Sequence, residues 1–226
     1  MLIVALDPLQ KEDVINWSKE VVYGVRNLVT GFKIGMPLLI KVGISGCKKI
    51  FCDYSGLLIA DLKLADIGDI MASVVRDLSE AGVNTVIAHA FVGRSGALDK
   101  LVGECEKLDV KVVLVVSMSH RGSEEFIDKH LSDFMELALS LNVWGVVAPA
   151  TRLSVVRRVR ELGGSRIKVL SPGIGAQGAQ PGTAICAGAD YEIVGRAITA
   201  SSNPTAEALK VLSEQGRKVK ECLGSH

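Results

Sequence analysis

Three charged side chains, Asp61, Lys63 and Asp66, interrupt the run Ile59-Ala60-Asp61-Leu62-Lys63-Leu64-Ala65-Asp66-Ile67-Gly68, which otherwise reads as an apolar strand. Side chains of a strand alternate between faces, so Asp61 and Lys63 point one way while Leu62 and Leu64 point the other. A buried unpaired charge is prohibitively costly. A carboxylate and an ammonium on one buried face therefore form either a structural ion pair at a strand end or a site that can stabilise charge and move a proton. A second stretch, Ser171-Pro172-Gly173-Ile174-Gly175-Ala176-Gln177-Gly178-Ala179-Gln180-Pro181-Gly182, offers a different chemistry. Its backbone N–H groups can cradle an anion, and Gly195-Arg196 downstream adds a guanidinium able to clamp a phosphate with two hydrogen bonds. Gly173, Gly175 and Gly178 also match G-x-G-x-x-G. Pro181 and Gly182 interrupt any long helix opening there, so the strand–turn–helix context of a dinucleotide loop is missing. A merely flexible loop is the bland alternative.

The elements that must hold these groups alternate. Strand-like runs fall at 2–6, 31–36, 57–64, 85–90, 111–116, 145–150, 167–170 and 191–194. Between them, apolar residues recur at helical spacing, as in Val14, Trp17, Val21 and Val25, or Met71, Val74, Val75 and Leu78. Pro37 opens a helix through about residue 51, and further helices are predicted over 93–108, 123–141, 152–162 and 183–187. The helix over 123–141 would bury Ile127, Leu131, Phe134, Ala138 and Leu141. Asn203-Pro204 caps and starts the last helix. Eight strands with about eight helices and no remainder predict a single-domain α/β chain over 1–226, a closed (β/α)8 or TIM barrel. A doubly wound open sheet is the alternative that alternation alone leaves open.

Barrel enzymes carry their chemistry at the C-terminal strand ends. Read that way, Asp7, Lys33, Asp61, Lys63 and Asp66 converge on one mouth, joined by His89, Ser117, Ser119, His120, Pro172, Gly173, Gly195 and Arg196. The charge cluster exceeds what fold stability requires, because a buried ion-pair network seldom outperforms apolar packing. That favours function. Other residues take blander roles: His89 as a satisfied strand-end histidine, Arg152, Arg157, Arg158 and Arg160 as a solvated helix face, Trp17 at core spacing, and Trp144 before a strand.

Composition narrows the classes. The 226 residues are 48% hydrophobic, enough for a substantial core, and the net charge of +1 gives no general attraction to nucleic acid or anionic membrane. Apolar runs such as 112–116 fall far short of a membrane span. The N-terminus enters a strand without a basic leader, so no signal peptide is expected. Cys47, Cys52, Cys105, Cys186 and Cys222 form no C-x-x-C pair, which predicts reduced thiols in a cytoplasmic protein. His89, His120, His130 and His226 lack metal-ligand spacing, and no metal is expected.

Together the motifs Ala5-Leu6-Asp7, Phe32-Lys33-Ile34-Gly35, Asp61-Leu62-Lys63-Leu64-Ala65-Asp66-Ile67, Ser117-Met118-Ser119-His120, Ser171 to Gly178 and Val194-Gly195-Arg196 resemble those of the orotidine 5′-monophosphate decarboxylases. The short archaeal-type enzymes are the most similar, and the resemblance covers essentially the whole chain. It implies cofactor-free decarboxylation of orotidine monophosphate to UMP, in pyrimidine biosynthesis. Lys63 would protonate C6, Asp61 would sit beside the departing carboxylate, and Lys33 and Asp66 would complete an alternating charge array. Asp7 and Lys33 would hold ribose hydroxyls, and Ser119 and Gln177 the pyrimidine. Gln177, Pro172, Gly173, Gly195 and Arg196 would bind the phosphate. Asp66 and Ile67 would reach the neighbouring subunit's site, which implies a homodimer with shared active sites.

Two positions depart from the family pattern. Ile70 stands where a threonine is usual and cannot supply its hydroxyl, and Arg121 stands where proline or a small residue is expected. Weaker substrate binding with intact chemistry is the expected consequence. Two rivals remain. A metal-dependent sugar-phosphate decarboxylase or aldolase shares D-x-K-x-x-D but carries an acidic ligand where Lys33 stands. A non-catalytic nucleotide-binding barrel would bind without turnover.

Overall fold

Eight parallel strands pair each with the next, and β8 returns to β1, so the sheet closes into a barrel. The computed structural model describes residues 1–8 and 12–224; Leu9, Gln10, Lys11, Ser225 and His226 lie outside the described residues. The strands are β1 Leu2–Leu6, β2 Gly31–Gly35, β3 Leu57–Leu64, β4 Thr85–His89, β5 Lys111–Val115, β6 Gly145–Val147, β7 Lys168–Ile174 and β8 Tyr191–Val194. The helices around them are α1 Val14–Val25, α2 Met36–Ile50, α3 Gly68–Glu80, α4 Asp99–Lys107, α5 Leu131–Ser140, α6 Leu153–Gly163, α7 Thr183–Cys186, α8 Arg196–Thr199 and α9 Pro204–Leu223. Local signals start two of them: Asp13 accepts from Asn16 N at the head of α1, and Asn203 from Ala206 N at the head of α9, where Pro204 needs no donor. Among the described residues, no helix is long and apolar enough to cross a membrane.

Period-two alternation sorts the strand residues into two cores. Leu2, Val4, Leu6, Phe32, Ile34, Leu58, Ala60 and Leu62 face outward and pack with the helices. Ile3, Ala5, Ile59, Ile87, Val113, Val115, Val147, Leu170, Tyr191 and Ile193 fill the barrel interior. Both faces of a parallel strand are covered, which is why the runs read as continuously apolar. The same parity carries Asp7, Lys33 and Asp61 onto the inner face, above that filled interior.

The sheet is irregular at two places, between Pro172 and Ile174 where β7 meets β8 and, more markedly, where β3 meets β4. Pairing of β3 with β4 runs Ile59↔Thr85 and Ala60↔Val86, then jumps to Leu64↔Ala88. The intervening Asp61, Leu62 and Lys63 bulge out of the ladder, and Lys63 holds a left-handed backbone with φ 48°. A lysine in that region is strained, and such strain is kept where the surroundings over-determine it.

Several boundaries differ from the sequence expectation. β7 runs through Pro172-Gly173 to Ile174 instead of ending at 170, and β6 stops at Val147. The helix expected over 93–108 is regular only from Asp99 to Lys107. The one expected over 123–141 is two 3-10 turns, Arg121–Glu125 and Ile127–His130, before α5. There Ser123 and Asp128 spend their side chains on tertiary hydrogen bonds, which compete with a continuous helix.

The thiol expectation is corrected as well. Cys186 on α7 and Cys222 on α9 form a disulfide, 36 residues apart in sequence but with Cα atoms 6.0 Å apart. Packing of α7 against α9, invisible in the spacing, brings them together. Cys47, Cys52 and Cys105 are free.

Candidate active site

The C-terminal ends of the strands open on a cavity of about 660 Å³. Asp7, Lys33, Asp61, Lys63, Ser119, Pro172, Gly173, Gln177, Gly195 and Arg196 all line it. Ile87, Val115, Val147 and Ile193, the upper layer of the barrel interior, make an apolar floor. A mostly apolar pocket with a few converging charges is the usual form of a small-molecule site.

Asp61 is the centre of the charge cluster. Its carboxylate lies 3.0 Å from Lys33 Nζ and accepts from Lys63 Nζ at 2.9 and 3.0 Å. Lys33 Nζ is also 3.8 Å from Asp7. Burial alone would push the Asp61 carboxyl up, but the two ammonium groups outweigh it and hold the group below the ordinary carboxylate range. Lys33 is almost fully buried, whereas the Lys63 side chain is 38% exposed and so remains reachable from the cavity. Close packing builds this arrangement: a Cβ on Gly35 would stand 2.5 Å from Asp7 Oδ1, so only glycine lets that carboxylate in.

On the opposite wall, the backbone of Gly173, Gly175 and Gly178 adopts positive φ, which turns the chain back on itself. Gly175 N donates to Ala179 O at 2.8 Å and Gly178 N to Gly175 O at 2.8 Å. This fold presents Pro172, Gly173 and Gln177 to the cavity beside Gly195 and Arg196. A guanidinium facing a glycine-rich turn is a ready anion site.

Asp66 and Ile67 do not line the cavity of their own chain. Asp66 is exposed and its Oδ1 accepts from Ile67 N at 2.7 Å; Ile67 is 62% exposed. The array within one chain is thus Asp7–Lys33–Asp61–Lys63. His89 is not the satisfied histidine expected from sequence: it is buried, its Nδ1 has no hydrogen-bond partner, and its ring lies 4.6 Å from that of Phe91. Burial, then the Lys63 charge, push its pKa down against the opposing pull of Asp61, and the net shift favours the neutral imidazole.

Nor do the arginines form one solvated face. Arg152 sits just after β6, with one guanidinium nitrogen on the Asp128 carboxylate and the other donating to Met118 O and, at 2.9 Å, to Ser117 Oγ. Ser117 and Ser123 each donate to Asp128 Oδ1 at 2.8 Å, and Met118 N donates to Ser123 Oγ at 3.1 Å. The network pins the segment that carries Ser119, and sequence reasoning missed it. The available signal was that Arg152 follows a strand at the chemical end of the barrel. Arg160 is likewise engaged, with Asp190 and three carbonyl groups.

The match to known proteins covers this whole architecture. The model of the family described as Orotidine 5′-phosphate decarboxylase / HUMPS matches residues 1–211. The chain is 45% identical over 216 residues to the orotidine 5′-phosphate decarboxylase of Aeropyrum pernix, spanning 94% of this chain and 87% of that one. With the enzyme of the same name from Pyrococcus abyssi it shares 39% identity, over 95% of this chain and 98% of the other. Among solved structures it is similar to the orotidine 5′-monophosphate decarboxylase of Sulfolobus solfataricus, with TM-score 0.87, 32% identity and coverage of 96% and 98%. Its likeness to the enzyme of that name from Methanocaldococcus jannaschii, complexed with inhibitor BMP, has TM-score 0.86, 31% identity and coverage of 95% and 97%.

Proposed function

The chain belongs to the Orotidine 5′-phosphate decarboxylase / HUMPS family, and on that premise we propose that it decarboxylates orotidine 5′-phosphate to UMP in pyrimidine biosynthesis, without a cofactor. The observation that carries this reading is the Lys33–Asp61–Lys63 cluster facing a cavity whose far wall is an anion-binding turn. Loss of CO2 from C6 leaves an electron pair on a carbon that delocalises it poorly. A catalyst must therefore stabilise charge that appears only in the transition state.

Asp61, held as a carboxylate by two ammonium groups, sits beside the substrate's own carboxylate and favours its departure. The C6–carboxylate bond breaks, the electron pair stays on C6, and the Lys63 ammonium delivers the proton there, leaving an amine that regains its proton from water. Lys33 and Asp7 hold the ribose, Ser119 and Gln177 the base, and the Pro172–Gly173 turn with Gln177, Gly195 and Arg196 the phosphate. Enzymes lower barriers by about 8–23 kcal/mol. One lysine supplies only part of that, and binding of the remote phosphate adds to it by fixing the base against Asp61 and Lys63.

The same reading makes the protein a homodimer, with Asp66 and Ile67 completing the partner's site. Apolar side chains on the segments after β3 and β4 support it: Ile67 is 62% exposed, Ile70 50% and Phe91 54%. A cytoplasmic location belongs to this proposal through the biosynthetic role alone, since the Cys186–Cys222 disulfide removes the argument from free thiols. A lysine ammonium 3.0 Å from Asp61 occupies the place a divalent cation would need, which weighs against the metal-dependent rival.

The test is an absorbance assay of orotidine 5′-phosphate loss with EDTA present. Turnover undiminished by the chelator is expected. Absence of turnover by the wild-type protein would sink the assignment, and activity restored only by Mg²⁺ would move it to the rival.

A further inference from the structure

Glu192 is a charged residue of the barrel that the proposed chemistry does not use. It lies in the middle of β8 with no exposed surface at all. Its neighbours Tyr191 and Ile193 fill the barrel interior, so the Glu192 side chain points outward, beneath α7 and α9. There it receives three hydrogen bonds, all from neutral amides. Gly182 N donates to Oε2 at 2.8 Å, Ala184 N to Oε1 at 3.0 Å, and Gln215 Nε2, from α9, to Oε2 at 2.9 Å.

A fully buried carboxylate is expensive, and an apolar side chain of similar size is often no worse for stability. What Glu192 supplies is therefore geometry. Gly182 is the last residue of the glycine-rich stretch that begins at Ser171, and Ala184 lies in the short helix that follows. The carboxylate thus fastens the end of that stretch to β8, the strand that runs directly into Gly195 and Arg196. The β7–β8 ladder joins the start of the turn to the strand of Arg196 at Pro172↔Ile193 and Ile174↔Val194, and the Glu192 side chain adds the tie at the far end of the stretch. Holding a loop in its binding conformation lowers the ordering cost of binding.

We propose that Glu192 is a positioning residue for phosphate recognition: it sets the glycine-rich turn relative to Arg196, with Gln215 orienting the carboxylate. The proposal rests on the reading of this cavity as a nucleotide site. A Glu192→Gln change keeps the shape but places an amide NH2 against a donor, which leaves the facing N–H and the new amide hydrogens unmatched.

The test compares UMP with uridine, which lacks the phosphate, by calorimetric or competition binding to the wild-type protein and to Glu192→Gln. The UMP dissociation constant is expected to rise about tenfold, on the scale of one hydrogen bond to a charged group, with uridine changed less than about twofold. An equal loss for both ligands means a merely structural role and overturns the proposal, as does no loss for either. Should Glu192→Gln fail to fold, Gln215→Met removes one donor only. There the UMP-to-uridine ratio is expected to shift about threefold, and an unchanged ratio overturns the proposal. Turnover is read separately. A wild-type protein that binds UMP without decarboxylating its precursor removes the enzymatic reading, and the ligand ratio still decides Glu192.

Discussion

Asp61 and Asp190 stand at opposite ends of the barrel, and both carboxyls are held below their ordinary range against the upward push of burial. Their partners differ in kind. Asp190, just before β8, accepts from Val169 N at 2.9 Å, from Lys168 Nζ at 3.2 Å and from Arg160. Arg160 in turn donates to the carbonyl oxygens of Gly188, Ile167 and Gly164. Apart from the Lys168 ammonium, each charged group there also bonds to backbone, and the cluster stitches α6 to β7 and β8. Asp61, among the described residues, is matched by the ammonium groups of Lys33 and Lys63, and the group faces a cavity. Charges that end on backbone hold the fold. Charges matched only to one another around open space are held for a ligand.

The largest expected effect breaks this comparison most directly. On the proposed reaction, Lys63→Ala removes both the proton donor and a charge beside C6, and kcat should fall by about 10⁴-fold or more. Stability should change by less than about 1 kcal/mol, because Lys63 is partly exposed and Lys33 still neutralises Asp61. Steady-state kinetics beside a denaturation curve read both quantities. If kcat stays within about tenfold of wild type, the mouth cluster is another staple and the distinction between the two ends collapses.

How much of this could be read from the chain depended on whether the signal was local. In the sequence, strand parity puts Asp61 and Lys63 on one face, the C-terminal strand ends bring Asp7 and Lys33 to the same mouth, and glycine content marks the anion turn. All eight strands were recognisable as short apolar runs. What escaped depends on contacts between distant segments. Arg152 and Arg160 look alike on a basic helix, and only the positions of Asp128 and Asp190 in space separate them from Arg157 and Arg158. The Cys186–Cys222 pairing needs α7 packed on α9. The bulge at Lys63 comes from a register jump between β3 and β4 that a single strand's alternation does not report.

A covalent staple ranks next. Closing a segment of 36 residues, the Cys186–Cys222 bond should contribute about 2–4 kcal/mol by restricting the unfolded chain. Guanidinium denaturation of Cys222→Ser should show that loss, and a reductant should bring the wild type down to the variant while leaving the variant unmoved. Burial pushes the free Cys47 and Cys105 thiols up to about 11 and about 12, so neither offers a competing reactive thiolate. Equal stability of variant and oxidised wild type would show that the bridge does not bear on the fold.

Asp190→Asn tests the base of the barrel. It should cost about 2 kcal/mol at neutral pH, the scale of a hydrogen-bonded charge partly screened by solvent, with kcat unchanged. The folded carboxyl is depressed below its unfolded value near 3.9. Its contribution is therefore complete above that pH and lost as pH falls through the folded value. The gap between wild type and variant should accordingly narrow in strong acid. A gap independent of pH would assign the loss to packing instead of charge.

The smallest expected effect lies at Ile70, on the first turn of α3 and 50% exposed. In the proposed dimer this turn faces the partner's ribose, where the family pattern has a hydroxyl. Ile70→Thr should lower KM about threefold, the worth of one hydrogen bond exchanged with water, and leave kcat unchanged because the added hydroxyl takes no part in the proton transfer to C6. Removing an exposed apolar side chain also weakens the subunit contact, so the assay belongs at protein concentrations where sedimentation shows one oligomeric state. Ile70→Val separates the two causes, since it trims the side chain without adding a donor. A fall in KM for threonine alone sharpens the view that the site is completed across the interface. Equal KM in all three proteins places the ribose contacts within one chain, on Asp7 and Lys33, and leaves Asp66 and Ile67 as the partner's contributions to test.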